Sequence, residues 1–157
     1  MTTPATATTE AAAKKFLANA VGTKQIGVTP APAPELNGLL LQLPGAPQVY
    51  LVINGFRRWV PDTGTFNNLF VLGAKIVQDI GIGAVSEGDA LSSGAMLIKG
   101  SSSVNIYLLS NGVKMWIPSP TIFQINQFNS AAVLTLPQIV VDSIPSGPDI
   151  QPPTPIS

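Results

Sequence analysis

Residues 49–61 read VYLVINGFRRWVP, and residues 106–118 read IYLLSNGVKMWIP. The two phrases align at a uniform offset of 57 residues, and the alignment runs without a gap over 49–69 and 106–126. Tyr50, Leu51, Asn54, Gly55, Trp59, Pro61 and Phe66 recur as Tyr107, Leu108, Asn111, Gly112, Trp116, Pro118 and Phe123. Val49, Val52, Arg57 and Val60 recur conservatively as Ile106, Leu109, Lys114 and Ile117. With two copies and no third, the pattern is a fused pair and not a solenoid array.

Each copy carries its own folding instructions. Asn-Gly tolerates the positive φ angles of a type I′ turn, so 49–61 and 106–118 each predict a two-residue β-hairpin. An apolar segment precedes each hairpin (LLLQL, 39–43; MLIK, 96–99). A short helix follows: Ser119 caps it with Pro120 at its first position, and Asp62 takes the cap in the first copy. Strand-like runs come next (AKIVQDI, 74–80; AVLTLPQIVV, 131–140). The pattern predicts an α+β, β-dominated fold of two tandem hairpin–short helix–strand repeats, forming a pseudo-two-fold body. The segment ALSSGAML (90–97) resembles SIPSGPDI (143–150) after a four-residue deletion, which puts the closing turn of the first copy at Ser93-Gly94. The organisation predicted is an arm over 1–35, repeats over 36–93 and 94–150, and a Pro-rich tail over 151–157.

The arm has two halves. Thr9 can cap a helix over 9–21 with Glu10 in its first turn and Gly22 at its end, and Ala13, Phe16, Leu17, Ala20 and Val21 make one apolar stripe. A helix this short is marginal alone and needs a surface to dock on, so Phe16, Leu17 and Val21 are candidate assembly contacts. Pro30, Pro32 and Pro34 favour an extended spacer after it. The arm can fold back on its own body or reach a neighbouring subunit.

A two-residue Asn-Gly loop fixes the hairpin pairing. Tyr50 falls opposite Trp59, Tyr107 opposite Trp116, and Leu109 opposite Lys114. Because side chains alternate between faces, Tyr50, Arg57 and Trp59 share one face, as do Tyr107, Lys114 and Trp116. The other face, with Val49, Leu51 and Val60 or Ile106, Leu108 and Ile117, is the expected core side. The chain holds two Tyr and two Trp, and all four are in these pairs. Two readings compete. A cross-strand aromatic pair is a structural device worth about 0.2–1 kcal/mol over Ala–Ala. Alternatively Tyr, Trp and the adjacent cation form an exposed platform for a sugar ring or an apolar partner surface.

Composition narrows the chemistry. Apolar residues are 45% of the 157, enough for a core, whereas charged residues are only 10%, with eight of each sign. A free-standing domain usually carries about 25–35% charged residues on its surface, so part of this surface is expected to face another protein. No basic patch suits nucleic acid. There is no Cys and no His, which removes thiol chemistry, the commonest general base and the commonest metal ligand. Glu87 and Asp89 in VSEGDAL read as a surface turn, not a carboxylate pair or calcium loop. GIGAVSEG lacks the Lys-Ser/Thr ending of a phosphate loop. The expectation is no enzyme, no cofactor and no metal. The start MTTPATATTEAAAKKF is polar where a secretory signal would be apolar. The uncharged runs 36–56 and 115–141 are broken by Gly and Pro, so no membrane insertion is expected.

The paired phrases YLVINGFRRWVPDTGTF and YLLSNGVKMWIPSPTIF, with the SIPSGP turn, resemble tandem repeats of bacterial surface or secreted proteins and of phage virion proteins. The resemblance covers about 110 residues of the body and implies a module without a defined catalytic activity. With the low charge, the arm and the polar N-terminus, it points to a structural protein of a large assembly. A virion component such as a capsid cement, neck or fibre-anchoring protein is the form expected, located in the assembled particle. The alternative is a small carbohydrate-binding module that meets a host surface glycan through its two Tyr/Trp/basic faces, at an extracellular surface.

Overall fold

The computed structural model describes residues 29–155. The predicted helix at 9–21, with Phe16, Leu17 and Val21, lies outside the described residues. The described residues are β-dominated: they form two four-stranded sheets with the same strand order, one from each copy of the repeated phrase. In the first, β1 (Leu40–Gln42), β2 (Val49–Ile53), β3 (Phe56–Val60) and β4 (Ile76–Gln78) run in the order β3-β2-β1-β4. In the second, β5 (Met96–Gly100), β6 (Ile106–Ser110), β7 (Val113–Ile117) and β8 (Leu134–Leu136) run β7-β6-β5-β8. In both sheets the hairpin pairs antiparallel with the preceding strand, and the later strand joins that one in parallel.

Local sequence explains the turns and helix starts. Asn54 and Gly55 have φ of 52° and 90°, Asn111 and Gly112 of 54° and 77°, the left-handed pair that a type I′ turn requires. Helix α1 (Thr63–Leu69) is capped by Asp62, whose Oδ1 accepts from Thr65 N at 2.7 Å. Helix α2 (Pro120–Ile125) is capped by Ser119, whose Oγ accepts from Ile122 N at 3.2 Å. A third helix, α3 (Gln138–Ser143), starts after Pro137.

The chain divides into two compact units whose limits cut across the repeats. The described residues up to Trp59, with Lys75–Asp89 and the tail from Pro152, form the first; Val60–Ala74 and Ala90–Gln151 form the second. Helix α1, although it follows the first hairpin, therefore belongs to the second unit.

In the first unit both faces of the sheet are covered. Leu40 and Leu51 are fully buried on one side. On the other, Leu39, Leu41, Val52 and Val77 pack with Ala33, Leu36, Ile82 and Val85, and Tyr50 lies against this cluster. The tyrosine face is thus a second core face, because the 3₁₀ turns Pro34–Leu36 and Ile80–Ala84 supply its lid. The Pro-rich segment read as a spacer is seated here. Ala31 N donates to Ala84 O at 3.0 Å, Ser86 N to Ala31 O at 3.0 Å, and Ala33 N to Gly55 O at 2.8 Å. Proline lacks an N–H, so the Pro-Ala alternation leaves a donor on every second residue, enough for an edge rung. Behind it, Asn37 is buried and joins three segments. Its Oδ1 accepts from Gly55 N at 2.7 Å, and its Nδ2 donates to Pro152 O at 3.1 Å. Thr154 N donates to Pro34 O at 3.1 Å, so the tail lies along this corner.

In the second unit the two phenylalanine-bearing segments meet. Val71 N donates to Gln127 O at 2.9 Å and Asn129 N to Leu69 O at 2.8 Å, around an antiparallel bridge between Phe70 and Phe128. Rings follow in a row: Phe66–Phe70 at 4.8 Å, Phe70–Phe128 at 5.8 Å, Phe128–Phe123 at 5.6 Å. Helix α1 is held there by Asn68 Nδ2 donating to Ala95 O and by Gly94 N donating to Thr65 Oγ1.

The closing turn of the first copy is not Ser93-Gly94. Arg57 N donates to Ser86 O and Gly88 N to Arg57 O; Lys114 N donates to Pro145 O and Gly147 N to Lys114 O. Gly88 therefore corresponds to Gly147, and SEGDAL to PSGPDI. These glycines are 59 residues apart where Arg57 and Lys114 are 57 apart, so the second copy holds two extra residues between its strand and its closing turn. The physical reason is close approach. A Cβ on Gly88 would lie 3.1 Å from Phe56 Cβ, and one on Gly147 would lie 2.9 Å from Val113 Cγ2, at matching hairpin positions.

Asp62 gives a pH-dependent term. The hydroxyl of Ser93, donating at 2.6 Å, and then the Thr65 amide and hydroxyl hold its carboxyl below the usual carboxylate range. A lowered folded-state pKa means that this contribution is complete above the ordinary aspartate value of about 3.9 and is lost as pH falls through the lower folded value. The melting-temperature gap between wild type and Asp62→Asn, which keeps the cap but not the charge, should be widest near neutral pH. It should close below the ordinary aspartate range.

Candidate functional site

The six hairpin residues singled out in the sequence separate into two roles. In β6–β7 the register is as the turn dictates, with Tyr107 opposite Trp116 and Leu109 opposite Lys114. The cations do not point to solvent. Lys114 is buried, its Nζ 5.0 Å from the Tyr107 ring centroid and donating to Val141 O at 2.6 Å. Arg57 places its guanidinium 4.7 Å from the Tyr50 ring centroid, donates from Nε to Val85 O at 2.9 Å, and meets Glu87 Oε1 at 3.7 Å. Both basic side chains tie the hairpin to the segment running beside it, and the tyrosines serve as their π partners. The tryptophans are different: Trp59 is 38% and Trp116 36% exposed.

Trp116 opens on a cleft in the second unit of about 360 Å³. Its walls are Ile106 and Trp116 from the hairpin, Pro118 and Pro120 at the start of α2, Phe123 on α2, and Val104, which is 87% exposed. Asn105 and Gln124 bring amides to it, and Ser119 lines it with its hydroxyl already committed to the helix cap. No lining residue is titratable. The arrangement can bind through apolar and aromatic contact, with amides available for a few hydrogen bonds. It offers no general acid, base or charged nucleophile.

Sequence reasoning singled out Trp116 as a binding residue but gave no such role to Val104, Pro118, Pro120 or Phe123. Pro120 was legible as a helix start and Pro118 as the repeat of Pro61, yet the same two rings also stiffen one wall of the cleft. A hydrophobe at 104 in the Ser-rich loop SSSVN was the remaining signal. Among the described residues no group of three or more carboxylate, His or Cys side chains is placed to hold a metal, and no helix is long and apolar enough to cross a membrane. Comparison with protein-family models, curated proteins and solved structures finds no match.

Proposed function

We propose that this chain is a non-enzymatic structural protein of a large assembly, a virion component of the cement, neck or fibre-anchoring kind. It docks on neighbouring subunits through the Trp116 cleft and nearby apolar side chains. The observation that carries the reading is the cleft itself: an uncharged surface of Trp116, Phe123, Val104 and two prolines, open to solvent. Single exposed hydrophobes are ordinary, but a contiguous apolar surface with an aromatic centre is what a protein interface uses. The low charge of the whole chain supports the same reading, as do the largely exposed side chains of Leu72, Ile80 and Ile139.

A second reading, glycan binding, draws on the amides of Asn105 and Gln124 beside the Trp116 ring. It no longer rests on the cations, which are engaged with backbone carbonyls and tyrosine rings. Tryptophan emission separates the two. Trp59 and Trp116 are the only indoles, so titration with host polysaccharide should leave the emission unchanged, while titration with the assembly's subunits should shift it to the blue. A saturable response to sugar that is abolished by Trp116→Ser supports the second reading and removes the first.

A further inference from the structure

We propose that Asn111–Gly112 is a site of spontaneous deamidation and that the fold protects its twin, Asn54–Gly55. The chemistry needs only water. A base removes the proton from the glycine N–H, and the nitrogen attacks the asparagine Cγ. The amide nitrogen leaves as ammonia and a five-membered succinimide closes. Water then opens the ring at one carbonyl or the other, giving aspartate or isoaspartate. Two features control the rate in a folded chain: whether the glycine nitrogen is free, and whether the turn has room to bend.

The two turns have the same residues and the same positive φ angles, but different surroundings. Gly55 is buried. Its N–H donates to Asn37 Oδ1 at 2.7 Å, its carbonyl accepts from Ala33 N at 2.8 Å, and a Cβ on it would lie 3.2 Å from Pro32 and 3.5 Å from Pro34. The nucleophile is occupied and the turn is walled in. Asn111 and Gly112 are exposed, and among the described residues nothing lies within 4 Å of the Cβ position of Gly112 and no acceptor is held against its N–H.

The product would differ locally from the starting turn. Asn111 Nδ2 donates to Ala90 O at 3.0 Å, and Asn111 N donates to the Ser92 hydroxyl at 2.9 Å. Deamidation replaces the donor facing Ala90 with a carboxylate oxygen, so attraction becomes repulsion and the 90–92 segment loses one tether. Isoaspartate also adds a backbone atom to the hairpin that carries Trp116. A chain of zero formal charge becomes acidic by one unit for each event.

The test is a time course of the intact protein at mildly alkaline pH, with peptide mapping by mass spectrometry that resolves aspartate from isoaspartate at both sites. The same course in guanidinium chloride gives the intrinsic ratio of the two rates, including the effect of Ser110 against Ile53 before the asparagine. In the folded protein the ratio of Asn111 to Asn54 conversion should exceed the denatured ratio by about tenfold or more, the factor expected from one occupied buried donor. A ratio no wider than in denaturant overturns the proposal, as does a folded chain in which neither site converts while the denatured one converts at both.

Discussion

Replacing Phe128 with alanine should cost about 3–5 kcal/mol of folding stability, the usual range for emptying a buried phenylalanine site. Phe128 is 3% exposed and stands between Phe70 and Phe123 in the ring row, so its removal takes one ring contact from each of these two neighbours. It also flanks the hydrogen bonds that join Leu69–Val71 to Gln127–Asn129. These two segments follow the two helices, so the loss would fall on the place where parts of both copies share one core. Denaturant unfolding of Phe128→Ala beside Phe123→Ala checks this, because Phe123 is only half-buried and should cost less. Equal and small losses would mean that the row is surface decoration.

The second large effect belongs to Asn37→Leu. The substitution conserves bulk but removes the acceptor for Gly55 N and the donor for Pro152 O. A buried polar group left without a partner costs about 1–3 kcal/mol, and the Gly55 N–H is the more deeply enclosed of the two. A chain ending before Pro152 loses only the tail contacts, so its destabilisation should be smaller than that of Asn37→Leu. If the truncation costs as much, the tail and not the Gly55 turn is what Asn37 serves.

Much of this architecture was written in short stretches of sequence. Asn-Gly fixes the hairpin turn and register, and Asp62 and Ser119 fix where helices begin, because turn and cap chemistry act within three or four residues. The β-dominated class followed from the repeated phrase. What could not be read locally was which glycine closes the first copy. Matching letters favoured Ser93-Gly94, whereas the constraint is steric: a glycine is needed where the chain passes Phe56 Cβ or Val113 Cγ2. That contact spans more than thirty residues of sequence in each copy, about 32 and 34 respectively. The seating of α1 in the second unit is likewise set by Thr65 and Asn68 meeting Gly94 and Ala95, partners absent from its own neighbourhood.

The site was half legible for a related reason. Alternation put Tyr, Trp and the basic residue on one face, which is correct for Tyr107, Lys114 and Trp116 by register. It could not show that Val141 O and Val85 O would capture the cations. Those carbonyls arrive from segments 27 and 28 residues away. The tryptophan thus remains as the exposed member, and its neighbours in the cleft come from the loop before the hairpin and the helix after it.

The proposed docking through that cleft is tested most directly by incorporation of the Trp116→Ser chain into the assembly proposed for it, in competition with the unaltered chain. Trp116 is exposed and its pairing with Tyr107 is worth about 0.2–1 kcal/mol, so the substituted chain should fold with little loss of stability. Its share in purified particles is predicted to fall about tenfold or more relative to its share in the mixture, the scale of an aromatic anchor at an interface. Equal incorporation of a folded Trp116→Ser chain would contradict the account.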